Sequence, residues 1–181
     1  MSKDPLDLKK FIRTVDDFPI DGITFRDITS LIETPEAFVK TCDELTKLTR
    51  NFGADLVASI ESRGFIFAGT IARDLNLPFV LARKPGKLPN ETYKKSFDLE
   101  YGSTSIEIQK NTEIQNNQKI VIVDDLVATG GTAIACSEIF TKNFNVKSKN
   151  ILILSVIDLP QLGGSRLISE KGYLIETLID Y

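Results

Sequence analysis

Apolar residues form short continuous runs that are typical of strands buried on both faces of a parallel sheet. The longest runs cover residues 56–60, 120–123 and 151–157, and polar residues that favour a turn follow each of them. A shorter run at residues 79–82 predicts a further strand. The apolar pattern alone therefore predicts a sheet that contains these four strands.

Apolar residues spaced three and four positions apart predict helices between the strands. The clearest helix begins at Pro35, after a capping residue at Thr34, and ends at Gly53. Residues 65–75 and 132–144 predict two more helices. Because strands and helices alternate, the expected class is α/β with a mainly parallel sheet.

Three segments depart from this alternation. Residues 8–15 have helical spacing and predict a short first helix. Residues 84–95 carry four lysines, two prolines and one glycine among few apolar side chains, which predicts a long basic loop that is either functional or disordered. Residues 98–109 alternate in polarity near their end and predict an extended segment.

Length and charge limit the possible functions. A chain of 181 residues is long enough for one domain with a substantial core. Its net charge of −3 does not suit a protein that binds polymeric DNA or RNA, so no nucleic-acid partner is expected. No apolar run approaches the ~18 residues of a membrane span, and the charged N-terminus has no signal-peptide core. We therefore expect a cytoplasmic protein with no membrane partner.

The available side chains narrow the chemistry. The chain has no histidine, which excludes histidine bases, triads and metal sites. Its two cysteines, Cys42 and Cys136, lie at apolar helical positions without a CxxC pattern, so we expect buried thiols and neither a zinc site nor a disulfide framework. Any reaction must use carboxylates, lysine, arginine, tyrosine, threonine or backbone amides.

The strongest functional pattern is VIVDDLVATGGT at residues 121–132. A buried strand is predicted to end at Asp124 and Asp125, and a short loop with two glycines and two threonines then leads into a helix. The free N–H groups and the dipole of a helix N-terminus favour an anion such as phosphate. The predicted phosphate-binding loop consists of Ala128, Thr129, Gly130, Gly131 and Thr132.

The two carboxylates require a different ligand, because their charge repels phosphate. They suit the neutral hydroxyls of a ribose, bound directly or through a divalent cation. The string lacks the GxxxxGK[ST] and GxGxxG patterns of other phosphate-binding loops. A solvated acidic turn before an ordinary helix is the alternative, but it does not explain the complete string. A ribose 5-phosphate site is therefore predicted.

A second anion site is predicted at Glu61-Ser62-Arg63, which follows strand 56–60 and opens helix 65–75. Arg63 and the free N–H groups of the helix provide positive charge there. The alternative is a capped helix with an exposed arginine.

These segments resemble the type I phosphoribosyltransferases in order and spacing from about residue 16 to residue 181, and the DDLxATGGT string is most similar to the adenine-specific members. The resemblance implies one domain over residues 1–181. Its central, mainly parallel sheet is flanked by helices, with a small N-terminal hood over about 1–34 and a flexible catalytic loop over about 84–101. The implied activity is purine salvage: the 5-phosphoribosyl group of 5-phosphoribosyl 1-diphosphate (PRPP) is transferred to adenine, giving AMP and pyrophosphate.

The resemblance also implies roles for the two predicted anion sites. Asp124 and Asp125 hold the ribose hydroxyls, and residues 128–132 bind the 5-phosphate. Residues 61–63 form the pyrophosphate loop, in which a non-proline cis peptide is expected between Glu61 and Ser62. Arg63 helps to stabilise the charge that develops on pyrophosphate.

Further charged groups are implied in and beside the flexible loop. Its cations Arg83, Lys84 and Lys87 are expected to neutralise the departing pyrophosphate, with Arg83 acting across a dimer interface. Glu100 matches the proposed acid–base residue near purine N7, and Tyr101 is expected beside it. Solvated charges in an ordinary loop and at a strand end are the alternatives.

The resemblance places the base between Phe25, whose ring stacks on it, and Leu126. The carbonyl of Thr24 and the amide of Arg26 read the adenine edge, which favours a 6-amino purine because a 6-oxo purine leaves buried polar groups unpaired. The 6-oxopurine enzymes usually carry a lysine after the strand that matches 151–157, and this chain has none there. A core phenylalanine is the alternative at Phe25.

The implied cofactor is Mg²⁺, which enters the site bound to PRPP. Asp124 and Asp125 are the protein groups that could also contact the ion. The implied assembly is a homodimer. Two alternatives remain: a phosphoribosyltransferase for another base, such as xanthine or a pyrimidine, and a regulator that senses the ligand without catalysis. The regulator is disfavoured because the chain has no room for a DNA-binding domain and retains segments 61–65 and 84–101.

Overall fold

The computed structural model describes Asp4, residues 6–98 and residues 103–181. Its strands are β1 (Arg13–Val15), β2 (Phe25–Asp27), β3 (Leu56–Ile60), β4 (Phe79–Ala82), β5 (Thr92–Asp98), β6 (Ser103–Gln109), β7 (Ile120–Val127), β8 (Ile151–Asp158) and β9 (Leu174–Asp180). Its helices are α1 (Thr29–Glu33), α2 (Pro35–Phe52), α3 (Gly64–Leu75), α4 (Gly131–Asn143) and α5 (Gly164–Glu170). Short 3-10 helices cover Lys9–Phe11, Ser148–Asn150 and Pro160–Leu162.

The described residues form a central sheet of five parallel strands in the order β4-β3-β7-β8-β9. The continuous apolar runs lie in the middle strands because both faces of the sheet are covered. Helices α2 and α3 cover one face, where Leu45 and Phe67 are buried. Helix α4 and the β5–β6 hairpin cover the other face, around Ile122 and Phe140. These layers confirm the predicted α/β class.

Strand β7 is longer than its apolar run predicted. Its pairing with β8 continues to Val127, which lies opposite Asp158, so Asp124 and Asp125 are strand residues. The ladder is made by backbone groups, which pair whatever the polarity of the side chains. The prediction that the strand ends at the two carboxylates was wrong, and the phosphate-binding loop begins only at Ala128.

The predicted first helix over residues 8–15 was also wrong. A short 3-10 helix at Lys9–Phe11 is followed by β1, which pairs antiparallel with β2. Arg13 anchors this pairing through an ion pair of 3.2 Å with Asp27, its Cα partner. Pairing with a distant segment has overridden the local helical spacing.

The longer helices lie within one residue of their predicted ends. Gly53 ends α2 in the left-handed region, with a φ of 73°. Thr34 does not cap α2 with its side chain, because its hydroxyl donates instead to the carbonyl of Ser30 at 2.9 Å. No helix among the described residues has the length and apolarity that crossing a membrane requires.

Part of the predicted basic loop is a strand. Residues 92–98 form β5, which pairs antiparallel with β6. Lys95 Nζ lies 2.7 Å from a Glu138 carboxylate oxygen on α4, and the Tyr93 ring packs edge-on against Phe144 with centroids 5.3 Å apart. These contacts hold the hairpin on α4, while the flexibility of residues 84–101 stays a prediction.

Candidate active site

The candidate site lies at the carboxyl ends of β3 and β7, which are neighbours in the sheet. Ser59 is the Cα partner of Val123, so the two predicted anion motifs meet at the edge where open α/β sheets bind ligands. A cavity of about 290 Å³ opens there. Of the residues predicted from the sequence, its walls include Glu61, Ser62, Arg63, Lys84, Asp124, Asp125, Leu126 and Thr132.

Helix α3 begins in close contact with β7. A Cβ atom on Gly64 would lie 2.7 Å from the carbonyl oxygen of Val123, which also accepts a hydrogen bond of 2.8 Å from the Ser59 hydroxyl. Glycine is required for this approach, and the approach brings Arg63 beside Asp125. The Glu61–Ser62 peptide bond is cis, which confirms the prediction made for it.

Asp124 and Asp125 are adjacent residues of β7, and both line the larger cavity. Asp125 is buried, and its Oδ2 lies 2.7 Å from Arg63 Nε, although the angle is too poor for a hydrogen bond. Asp124 borders the phosphate-binding loop, and its Oδ1 accepts a hydrogen bond of 2.9 Å from the Asp125 amide. Asp124 therefore borders both cavities, whereas Asp125 lies in the larger cavity beside Arg63.

Burial raises the pKa of Asp124 well above its ordinary value, and the nearby charge of Asp125 raises it further. The Arg63 guanidinium opposes this shift by a smaller amount. A cation or a hydrogen-bond donor that reaches Asp124 favours the ionised carboxylate. A ligand that places such a group at Asp124 would therefore lower the pKa of this carboxyl.

A smaller cavity of about 90 Å³ lies in the loop between β7 and α4. Gly130 has a φ of 80° and directs the chain into α4. The first N–H groups of α4 have no partner within the helix, so the cavity suits an anion. Its lining includes all of the residues predicted to bind phosphate: Ala128, Thr129, Gly130, Gly131 and Thr132.

A carboxylate joins the predicted pyrophosphate loop to the basic loop. Glu61 accepts hydrogen bonds from Arg83 Nε at 3.2 Å and Nη2 at 3.3 Å, and from the Lys84 amide at 3.0 Å. Burial alone would raise the pKa of Glu61, but these hydrogen bonds outweigh it and the pKa is lowered. Arg83 also donates to the carbonyl of Lys87 at 3.1 Å. The predicted contact of Arg83 across a dimer interface stays a prediction.

The predicted base-reading residues Thr24, Phe25 and Arg26 do not line the 290 Å³ cavity. Arg63 links them to it, because its guanidinium lies 5.3 Å from the centre of the Phe25 ring while its Nε faces Asp125. The ring of Phe25 therefore has the cation of Arg63 near it in this structure. The Arg26 guanidinium lies on a different ring, 4.1 Å from the centre of Tyr181.

The remaining predicted residues are less well placed. The Lys87 side chain lines neither cavity, and its backbone carbonyl makes the contact with Arg83. Glu100 and Tyr101 lie outside the described residues.

Sequence reasoning missed part of the lining. Phe97 from β5 and Thr104, Ser105 and Ile106 from β6 form one wall of the larger cavity. The alternating polarity of β6 predicted an extended segment but carried no signal that the hairpin folds over the sheet edge. Gly164 was also missed, although its place in a Gly-Gly pair after a buried strand is a signal for close backbone packing.

A larger cavity lies elsewhere in the described part of the chain. An opening of about 490 Å³ lies over α2, where Pro35, Val39 and Asp43 contribute to its lining. It contains none of the residues predicted for the site and lies away from the strand ends, so we place the candidate site in the smaller cavities.

Comparisons with known proteins identify the family of the chain. The phosphoribosyl transferase domain family matches residues 28–163. An adenine phosphoribosyltransferase from Pelagibacter ubique is 40% identical over 176 residues, which cover 97% of this chain and 98% of the relative. The solved adenine phosphoribosyltransferase of Thermoanaerobacter pseudethanolicus has a TM-score of 0.86 at 39% identity, covering 97% of this chain and 98% of its own. The APRTase of Giardia lamblia, solved in complex with 9-deazaadenine, has a TM-score of 0.89 at 35% identity, with coverages of 97% and 96%.

Proposed function

The chain belongs to the phosphoribosyl transferase family as an adenine phosphoribosyltransferase, and on this premise we propose how its residues bind the substrates and carry out the reaction. The enzyme transfers the 5-phosphoribosyl group of PRPP to adenine and forms AMP and pyrophosphate, a reaction of purine salvage. The observation that carries the proposal is the junction of β3 and β7, where Arg63 and the buried Asp125 meet beside a helix N-terminus suited to phosphate.

Residues 128–132 bind the 5-phosphate of PRPP. The N–H groups at the start of α4 donate to the phosphate oxygens, and the hydroxyls of Thr129 and Thr132 add further donors. Asp124 and Asp125 accept hydrogen bonds from the ribose hydroxyls. One oxygen of Asp125 is buried without a hydrogen bond from the described residues, and a ribose hydroxyl provides the donor that it lacks.

The N-terminal end of α3 binds the pyrophosphate group. The amides around Ser62 and the guanidinium of Arg63 face the larger cavity, where Lys84 adds a second positive charge. When pyrophosphate is present, Arg63 exchanges its contact with Asp125 for the more highly charged ligand.

Glu61 has a supporting role in this arrangement. A carboxylate repels pyrophosphate, so Glu61 acts by holding Arg83 and the Lys84 amide in place through its hydrogen bonds. Arg83 and Lys87 then neutralise the departing pyrophosphate when the basic loop closes.

The reaction is an in-line displacement at the anomeric carbon, with inversion. N9 of adenine forms a bond to this carbon, while the bond to the pyrophosphate oxygen breaks and its electron pair leaves with pyrophosphate. Arg63 and Lys84 stabilise the charge that develops on the leaving group. Adenine reacts as the tautomer that carries its proton on N7, and the Glu100 carboxylate, with Tyr101 beside it, accepts that proton as the bond to N9 forms. Closure of residues 84–101 excludes the water that would hydrolyse PRPP.

Adenine binds between Phe25 and Leu126. The Thr24 carbonyl accepts from the exocyclic amine, and the Arg26 amide donates to an unprotonated ring nitrogen. Since Arg63 lies 5.3 Å from the centre of the Phe25 ring, its movement toward pyrophosphate also frees that ring for the base.

Mg²⁺ fits the site through the substrate. Asp124 and Asp125 offer carboxylate oxygens of the kind that this ion prefers, and the buried Oδ2 of Asp125 lacks a hydrogen bond from the described residues. We assign the remaining ligands to oxygens of PRPP. When bound, the ion neutralises part of the diphosphate charge.

The enzyme acts as a homodimer. Edge strand β4 exposes Phe79 and Leu81, each 36% accessible, and Ile66 of α3 is 41% accessible. Clustered apolar side chains of this kind suit a second copy of the chain. The patch is continuous with Arg83, the first residue after β4, so pairing through it brings Arg83 to the partner's site. We place the enzyme in the cytoplasm, whose reducing conditions suit its two buried free cysteines.

The experiment that tests the reaction measures AMP from PRPP and Mg²⁺ with adenine, hypoxanthine, guanine or xanthine as the base. Selective formation of AMP is expected. Activity should fall by at least about tenfold in Asp124→Asn/Asp125→Asn, because the hydrogen bonds to charged groups that this change weakens are worth roughly 1.5–3 kcal/mol each. Preference for another base would overturn the roles of Thr24, Phe25 and Arg26, and binding of PRPP without turnover of any base would support a regulator instead.

A further inference from the structure

Gly164, at the start of α5, lies against the phosphate-binding loop. Its amide donates to the carbonyl of Ala128 at 3.1 Å. A Cβ atom on Gly164 would lie 2.2 Å from that carbonyl oxygen and 2.7 Å from the nitrogen of Gly130. Both neighbours are backbone atoms, so they cannot turn away as the end of a flexible side chain can. The loop and α5 therefore touch backbone to backbone.

The contact is reciprocal and belongs to a longer junction. A Cβ atom on Gly130 would lie 2.9 Å from the carbonyl oxygen of Gly164. At the start of the junction, the Leu159 amide donates to the carbonyl of Val127 at 3.0 Å. Gly163 makes the turn into α5 with a φ of 74° and has no atom within 4 Å of its Cβ position. The segment from Leu159 to Gly164 thus forms a support under the loop.

We propose that Gly164 is a positioning residue for the 5-phosphate of PRPP. Hydrogen bonds from backbone N–H groups to an anion need donor–acceptor distances near 2.9 Å, so a shift of a few tenths of an ångström in the loop weakens them together. The backbone contacts of Gly164 fix the positions of Ala128 and Gly130. They therefore fix the point at which the N–H groups of the phosphate-binding loop converge. This inference rests on the proposed function, because it takes the loop as the 5-phosphate site.

The test replaces Gly164 with alanine and measures binding of the two parts of PRPP, ribose 5-phosphate and pyrophosphate, separately. In Gly164→Ala, the KM for PRPP and the Kd for ribose 5-phosphate are expected to rise about tenfold or more, which corresponds to about 1.4 kcal/mol. The Kd for pyrophosphate and the KM for adenine at saturating PRPP should stay within about twofold. A general loss of structure would weaken all of these interactions together, so this division identifies a positioning role.

Two further variants complete the test. Gly163→Ala strains the turn, but its methyl group does not enter the loop. It should therefore also raise the KM for PRPP, by less than Gly164→Ala does. If Gly164→Ala does not fold, Gly163→Ala replaces it in the test. Gly69→Ala adds a methyl group within α3, where nothing lies within 4 Å, and should leave all constants unchanged. An unchanged KM for PRPP in both Gly164→Ala and Gly163→Ala would overturn the inference. Failure of the wild-type protein to make AMP would instead overturn the proposed function.

Discussion

The ionisation of Asp124 makes the stability of the ligand-free protein depend on pH. Burial, and then the charge of Asp125, raise the pKa of Asp124 in the folded protein, whereas the unfolded chain keeps a value of about 3.8. Between these two values the folded protein retains a proton that the unfolded chain has lost. The free energy of unfolding therefore falls as pH rises through this window and stays lower above it.

Asp124→Asn is expected to abolish this fall in the free energy of unfolding, because asparagine keeps the shape and the acceptor oxygen of aspartate without its charge. The ligand-free variant should melt at a higher temperature than wild type at pH 7, by about 2–4 °C for each kcal/mol recovered. The difference should disappear near pH 3.8, the ordinary value for aspartate. Calorimetry across pH measures this, with the exposed Asp21→Asn as a control for the change in net charge. A variant that is less stable than wild type at pH 7 would contradict the assignment.

At the scale of elements, Glu138 joins the β5–β6 hairpin to α4. One of its carboxylate oxygens lies 2.7 Å from Lys95 of β5 and 2.7 Å from Lys142 of α4 itself. Lys95 is 38% accessible, so water screens the pair and its contribution is about 0.2–1 kcal/mol. The ion pair therefore adds only a small part to the contact of the hairpin with the rest of the domain, in which Ile106 and Ile108 are buried.

Glu138→Gln should accelerate amide hydrogen exchange in β5 by up to about fivefold, since local opening becomes easier by no more than about 1 kcal/mol. Exchange in the central strand β8 should not change. Lys142→Met is the matched control, because it removes the other partner of Glu138 and keeps both members of the Lys95–Glu138 ion pair. Equal exchange rates in β5 for Glu138→Gln and wild type would show that Tyr93 and the hydrogen bonds of the hairpin hold it alone.

The elements that the sequence predicted correctly are those set by local patterns. The apolar runs of β3 and β8 and the spacing within α2 identify their structures because burial requires those residues in any compact arrangement. The failures at residues 8–15 and at the end of β7 come from pairing between distant segments, which leaves no local mark.

The same distinction applies to the site. The family resemblance joined Asp124, Asp125 and residues 61–63 in one site, and the structure gives the physical reason: β3 and β7 are parallel neighbours, whose carboxyl ends share one edge. The wall formed by Phe97 and Ile106 was not predicted, because the fold of the hairpin over that edge depends on contacts with α4. Sequence motifs thus predicted groups that lie together at this edge, whereas the residues that support and enclose them required the structure.

At the scale of the whole molecule, only one of the two edges of the central sheet, the β4 edge, is proposed to pair with a second copy of the chain. Edge strand β4 exposes Leu81 at 36%, and the opposite edge strand β9 exposes Leu174 at 45%. Leu81→Asp should convert the proposed dimer to monomers in sedimentation experiments and lower kcat, because Arg83 then lacks the partner's site proposed for it. Leu174→Asp, a matched change on the other edge, should remain dimeric and active. A dimer that persists in Leu81→Asp would place the interface elsewhere.

The hydrogen bond from Ser59 to the carbonyl of Val123 spans 64 residues of sequence. Its two strands are neighbours in the sheet, but α3, β4 and the β5–β6 hairpin are all made between them. Contacts between such distant segments form slowly during folding, because a long loop must close first. Because the site lies across both strands, the return of AMP synthesis after dilution from denaturant is expected only once this closure is complete.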